Sequence, residues 1–90
     1  MTKAIEARVY GKVQGVWFRK HTQEQARRLG LTGIVRNEPD GSVYVEAEGP
    51  EDKMRMFEEW LHRGSPLSRV ERVDIRRVEP KGYQSFEIIR

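Results

Sequence analysis

The 90-residue chain contains no cysteine. That removes disulfides, zinc fingers, thiolate nucleophiles and CxxC metal sites from consideration. Small secreted domains usually depend on disulfides, so the expectation is a cytoplasmic protein. Long apolar runs are also missing. No stretch approaches membrane-spanning length, and Met1 to Ile5 carry no apolar signal core. Asparagine occurs once, at Asn37, and histidine twice. No cluster of His, Asp or Glu has metal-ligand spacing, so neither a metal nor a cofactor is expected.

Charge is what the chain has in quantity. Seventeen Lys and Arg against 14 Asp and Glu leave a net charge of +3 and a pI near 9.5. This favours anionic partners without choosing among phosphate esters, RNA and acidic surfaces. The mix of abundant arginine and glutamate with a single asparagine resembles a heat-adapted, thermophilic composition. Apolar residues at 37% suffice for one two-layer domain over residues 1–90, with no room for a second core.

The periodicities arrange themselves as strand, helix, two strands, helix, strand. Ile5, Ala7 and Val9 alternate with polar residues and predict a first strand. A loop framed by Gly11 and Gly15 follows. Phe18, Thr22, Ala26 and Leu29 share one face of a helix that Gly30 stops. Strands are predicted from about Thr32 to Asn37 and from Ser42 to Glu48, joined by the turn Glu38-Pro39-Asp40-Gly41. Gly49-Pro50-Glu51-Asp52 opens a second helix, whose apolar stripe is Met54, Phe57 and Leu61 beside Trp60. Val70 to Val78 and Phe86 to Ile89 are the last two strands. The predicted architecture is α+β: a ferredoxin-like βαββαβ sandwich, an antiparallel sheet with two helices on one face and a short extra C-terminal strand. That fold hosts many functions and selects none.

The chemically informative segment is Tyr10 to Arg19. It joins a strand to a helix. The first amides of a helix lack internal partners and carry partial positive charge, and a glycine-framed turn lets several N–H groups converge on one anion. Arg19 falls in the first helical turn, about 100° around from Phe18. Phe18 can anchor the helix while Arg19 presents a planar fork to phosphate oxygens. From the residues alone this is a cradle for phosphate or carboxylate, and a turn that binds nothing remains open.

The segment GKVQGVWFR resembles the acylphosphatase signature G-x-V-Q-G-V-x-F-R. GIVRNEPDGSV resembles the same family's G-x-V-x-N-x-x-D-G-x-V block. EGPED and the closing Phe86-Glu87-Ile88 extend the similarity over essentially the whole chain. The resemblance implies hydrolysis of acyl phosphates to a carboxylate and inorganic phosphate, without a metal or a phosphoenzyme. It implies that the loop Gln14, Gly15, Val16, Trp17, Phe18 and Arg19 binds the substrate phosphate, and that Asn37 positions the attacking water. Inorganic phosphate is then both product and competitive inhibitor. Without the family, Asn37 reads more plainly as a strand-end residue before a turn.

Two positions depart from the family pattern. Ile34 stands where many relatives have tryptophan, which reads as a packing change. Glu38 stands where many have threonine or serine, and a carboxylate beside a bound phosphate repels it unless it turns away.

Other features have ordinary readings. His21 is read as a solvated helix histidine, and His62 with Arg63 as cations at a helix C-terminus. Lys12 and Lys20 are read as solvated basic surface flanking the loop. Glu46 and Glu48 are read as a solvated polar strand face, and Arg69, Arg72, Arg76 and Arg77 as a charged strand edge that discourages pairing. The alternatives are an RRM-like nucleic-acid-binding module, a metal carrier on the same fold, and an acylphosphatase-like accessory domain with little turnover. The first lacks the aromatic third strand that stacks bases, since SVYVEAE offers Tyr44 alone. The second lacks cysteine. No nucleic acid or membrane partner is expected, and the chain is expected to be a monomer or weak dimer.

Overall fold

The structure, a computed structural model, describes residues 2–90. Five strands and two helices follow in the order β1 (Thr2–Lys12), α1 (Phe18–Arg28), β2 (Thr32–Asn37), β3 (Val43–Pro50), α2 (Glu51–Arg63), β4 (Arg69–Val78) and β5 (Phe86–Ile89). The sheet order is β4-β1-β3-β2-β5. The first four strands pair antiparallel, as expected for the ferredoxin-like arrangement. β5 adds to β2 in parallel, which makes the whole sheet mixed. A strand after β4 can reach β2 only by crossing the sheet, and here the crossing returns it in the β2 direction.

Ile5, Ala7 and Val9 of β1 meet Val43, Val45 and Ala47 of β3 on the helix-covered face, all essentially buried. Phe18 and Ala26 of α1 and Met54, Phe57 and Leu61 of α2 close the core over them. The Trp60 ring lies 5.6 Å from Phe18 and 6.5 Å from Phe57, and Phe86 of β5 meets Phe57 edge-on. Burial of each such ring contributes on the order of 2–3 kcal/mol. Gln23 donates a buried hydrogen bond to the Phe86 carbonyl, which docks α1 on β5.

β1 is longer than its alternation suggested. It continues through a bulge at Tyr10 and Gly11 and pairs Gly11 with Val70. A Cβ on Gly11 would stand 2.1 Å from the Arg69 carbonyl oxygen, so only glycine fits this close approach.

The other sheet face departs from the solvated polar surface expected at Glu46 and Glu48. Both are buried, at 7% and 5% exposure, beneath the segment 79–85. Glu48 accepts hydrogen bonds from the amides of Lys81, Gly82 and Tyr83. Glu46 accepts from Lys81 Nζ and from the Tyr44 and Tyr83 hydroxyls. Burial alone would raise the Glu46 pKa, but these donors hold it below the usual carboxylate value. Burial and the neighbouring Glu46 push Tyr83 up to about 12. The two carboxylates thus act as a fastening for the crossover that leads to β5.

β4 lies at the sheet edge with Arg69, Arg72, Arg76 and Arg77 exposed. Arg72 pairs with Asp74 at 3.2 Å and lies over the Tyr10 ring, and Arg76 pairs with Glu6. Among the described residues, no helix is long and apolar enough to cross a membrane.

Candidate active site

Residues 13–17 join β1 to α1 beside the C-terminal end of β2. Val13 is buried and Val16 packs against the core, so both sides of Gly15 are anchored. Gly15 has φ 74° and Trp17 has φ 63°, ψ 18°, both left-handed. Alternating hand in this way turns successive amides toward one side, the geometry of an anion nest. Among the described residues, the amides of Gln14 to Lys20 donate to no protein acceptor. Helical bonding starts with the His21 amide on the Trp17 carbonyl, at 3.0 Å.

Arg19 lies in the first turn of α1, because Phe18 is fixed in the core at 1% exposure. It makes no ion pair among the described residues. Asn37 ends β2, and its Oδ1 is buried with no hydrogen-bond partner. An unpaired buried carbonyl oxygen costs about 1–3 kcal/mol, so it marks a place meant for a donor. Gly15, Trp17, Arg19 and Asn37 line one pocket of about 430 Å³, with Ile88 and Arg90 on its β5 side.

The Gln14 side chain faces away from the loop's anion side. Its Nε2 donates to the carbonyls of Glu38 and Ser42, both at 2.8 Å. Both amide hydrogens are spent, so only its backbone N–H is free for an anion. The side chain ties the loop to the turn that follows Asn37. Within that turn the Glu38 amide donates to the Ser42 carbonyl at 2.9 Å, and Asp40 accepts from the Ser42 amide at 2.9 Å. The Ser42 bonds also draw Asp40 below its usual pKa.

Glu38 turns away from the pocket. Its carboxylate receives Arg8 Nη1 at 2.9 Å and Arg36 Nε at 3.1 Å. The Arg8 hydrogen bond is the main cause that draws its pKa down, and Arg36 adds to it. Strand alternation explains the orientation: Asn37 and Glu38 are successive and face opposite ways. The two arginines also flank the Tyr44 ring at 5.1 and 4.5 Å. Tyr44 is 8% exposed and its hydroxyl is bonded to Glu6 and Glu46, so it offers no free face to a nucleobase.

The remaining residues fall outside the pocket or on its margin. His21 is partly exposed, with Glu24 at 3.8 Å, and does not line the pocket. Lys20 does line it, whereas Lys12 is exposed at the end of β1. Ile88 and Arg90 were not foreseen from the residues as pocket walls. Only the parallel pairing of β5 with β2 brings them there.

The strand-to-helix nest, an arginine without an ion pair among the described residues and an asparagine with a buried side-chain oxygen at the end of β2 bring residues of both motifs into one pocket. The acylphosphatase family profile matches residues 5–88. The chain belongs to the acylphosphatase family. An acylphosphatase of Natronomonas pharaonis is 44% identical over 92 residues and is covered in full, as is this chain. One of Thermococcus kodakarensis is 44% identical over 82 residues, 91% of this chain and 90% of that protein. The crystal structure of the Bacillus subtilis acylphosphatase superposes with a TM-score of 0.95 at 36% identity, with full coverage of both chains. These full-length matches assign the chain the enzyme class of the family, a hydrolase acting on acyl phosphates.

Proposed function

We propose that the pocket hydrolyses acyl phosphates by direct attack of a water held at Asn37. The observation that carries this reading is the unpartnered, buried Asn37 Oδ1 in the same pocket as the unpaired Arg19. The phosphoryl oxygens occupy the amides from Gln14 to Arg19 and the Arg19 guanidinium. Asn37 Oδ1 accepts a hydrogen bond from the water and leaves its lone pair facing phosphorus. A bond forms from the water oxygen to phosphorus and the phosphorus–acyl oxygen bond breaks. The products are a carboxylate and inorganic phosphate, and the water proton passes to the phosphate product or to solvent.

The mixed anhydride brings its own good leaving group, so no strong general acid is required. The obstacle is the approach of water to an anionic centre. Fixed donors that hold the charge, and a fixed acceptor that aims the water, lower that barrier. Glu38, which could have added repulsion, is neutralised on the other side of the sheet. Phosphate, as product, occupies the same nest and competes with substrate. We keep the chain as a monomer or weak dimer, since β4 presents a charged edge and β5 is short.

The test is phosphate release from acetyl phosphate and benzoyl phosphate by the chain and by Arg19→Gln. Turnover lost in the variant supports the assignment. Equal turnover in both removes Arg19 from the site.

A further inference from the structure

The chain has two tryptophans with opposite fates. Trp60 is 7% exposed within the core, and Trp17 is 73% exposed. Trp17 also occupies a left-handed conformation that glycine would adopt at lower cost. Its neighbours Val16 and Phe18 pack inward, so the backbone delivers the indole outward at the pocket rim. Val13, Phe18 and Ile88 supply the other apolar walls. Val13 and Phe18 are each 1% exposed and Ile88 is half-buried. The apolar surface available to a ligand is therefore chiefly the indole. Among the described residues, no Asp or Glu lines the pocket.

We infer that the Trp17 indole is a platform for the acyl group, and that the preferred substrates are acyl phosphates with an aromatic or large apolar acyl portion. The inference rests on the proposed function. A phosphoryl group seated on the amides that flank Trp17 leaves its acyl substituent at the rim, within reach of the ring on that loop. Covering the ring with another apolar group removes both surfaces from water, and two aromatic rings add a stacking preference. A small acyl group such as acetyl covers little of the indole and gains little.

The experiment measures kcat/KM for benzoyl phosphate and acetyl phosphate in the chain, in Trp17→Ala and in Trp17→Phe. The benzoyl-to-acetyl ratio cancels any shared effect on phosphate binding. It is expected to fall about fivefold or more in Trp17→Ala and to stay within about twofold in Trp17→Phe. Circular dichroism checks that each variant is folded. An unchanged ratio in Trp17→Ala overturns the proposal, as does a ratio equally reduced in Trp17→Phe. So does an unaltered chain that prefers succinyl phosphate to benzoyl phosphate, which would point to Lys20 and Arg90 as the acyl-side contacts. Calorimetry with benzoylphosphonate and acetylphosphonate separates this idea from the function it rests on. If the chain turns over neither substrate but the phosphonate affinity ratio falls in Trp17→Ala, the hydrolytic reading fails and the platform stands. If that ratio does not move, the platform fails.

Discussion

The side-chain amide of Gln14 donates at 2.8 Å to the backbone carbonyl of Glu38, joining the loop that precedes Arg19 to the residue that follows Asn37. A second bond of equal length reaches the Ser42 carbonyl. The proposed phosphate cradle and the proposed water holder therefore sit on two segments clasped by one side chain. Gln14→Met keeps the length of the side chain and removes both donors. It should lower kcat about tenfold or more, since a displacement near 1 Å can cost about 10²-fold. The Glu38 and Ser42 carbonyls would each lose one of two donors, at about 1 kcal/mol each. Thermal unfolding and steady-state kinetics on the same samples check this. A kcat within twofold of the parent would mean that the loop holds its shape without the clasp.

Arg19→Gln removes a charge-assisted fork from the transferred phosphoryl group. The expected loss is about 10²–10³ in kcat/KM, or roughly 3–4 kcal/mol. Arg19 makes no ion pair among the described residues, so the melting temperature should hardly change. Loss of activity together with a large drop in melting temperature would indicate a structural role instead.

At Asn37, alanine and aspartate separate positioning from charge. Asn37→Ala should cut kcat strongly while inhibition by phosphate changes little, because the nest and Arg19 hold the anion. Asn37→Asp keeps an acceptor for water but brings a negative charge toward the phosphate. It should weaken phosphate inhibition more than alanine does and recover little rate. A near-native kcat for Asn37→Asp that rises as the carboxylate ionises would mean general-base catalysis.

Glu38 provides a pH test of stability. Its pKa lies below the ordinary 4.5, chiefly through the Arg8 hydrogen bond. A depressed carboxylate contributes fully above its unfolded-state pKa, and the contribution is lost as pH falls through the folded value. The difference in melting temperature between the parent and Glu38→Gln should be largest above about pH 5 and shrink as the pH falls below it. Arg8 and Arg36 are 40% and 41% exposed, so the loss should be modest, about 1 kcal/mol. The carboxylate faces away from the pocket, so Glu38→Thr should leave kcat nearly unchanged. A gap in melting temperature that widens as pH falls would contradict the assigned direction.

The order of elements followed from local pattern. Phe18, Thr22, Ala26 and Leu29 share a helical face at any position in space, and all four are buried. The Phe86–Ile89 strand was also legible, as a short run rich in aromatic and β-branched residues. The segment Tyr10 to Arg19 could be read as a candidate anion cradle because glycine placement and a helix start are properties of consecutive residues.

The tertiary structure alone decided where polar side chains spend their hydrogen bonds. Gln14 lies inside the loop proposed to bind phosphate, yet its side-chain donors go to carbonyls 24 and 28 residues away. Glu46 and Glu48 alternate like a solvated strand face, but the crossover that carries β5 to the side of β2 covers them. The same crossover brings Ile88 and Arg90 to the pocket. The physical reason is the range of the interactions. Hydrophobic periodicity and backbone conformation are set within a few residues, and the sequence alone determined them. A buried polar atom must find whichever partner the completed fold sets within about 3 Å, and that partner has no fixed offset along the chain.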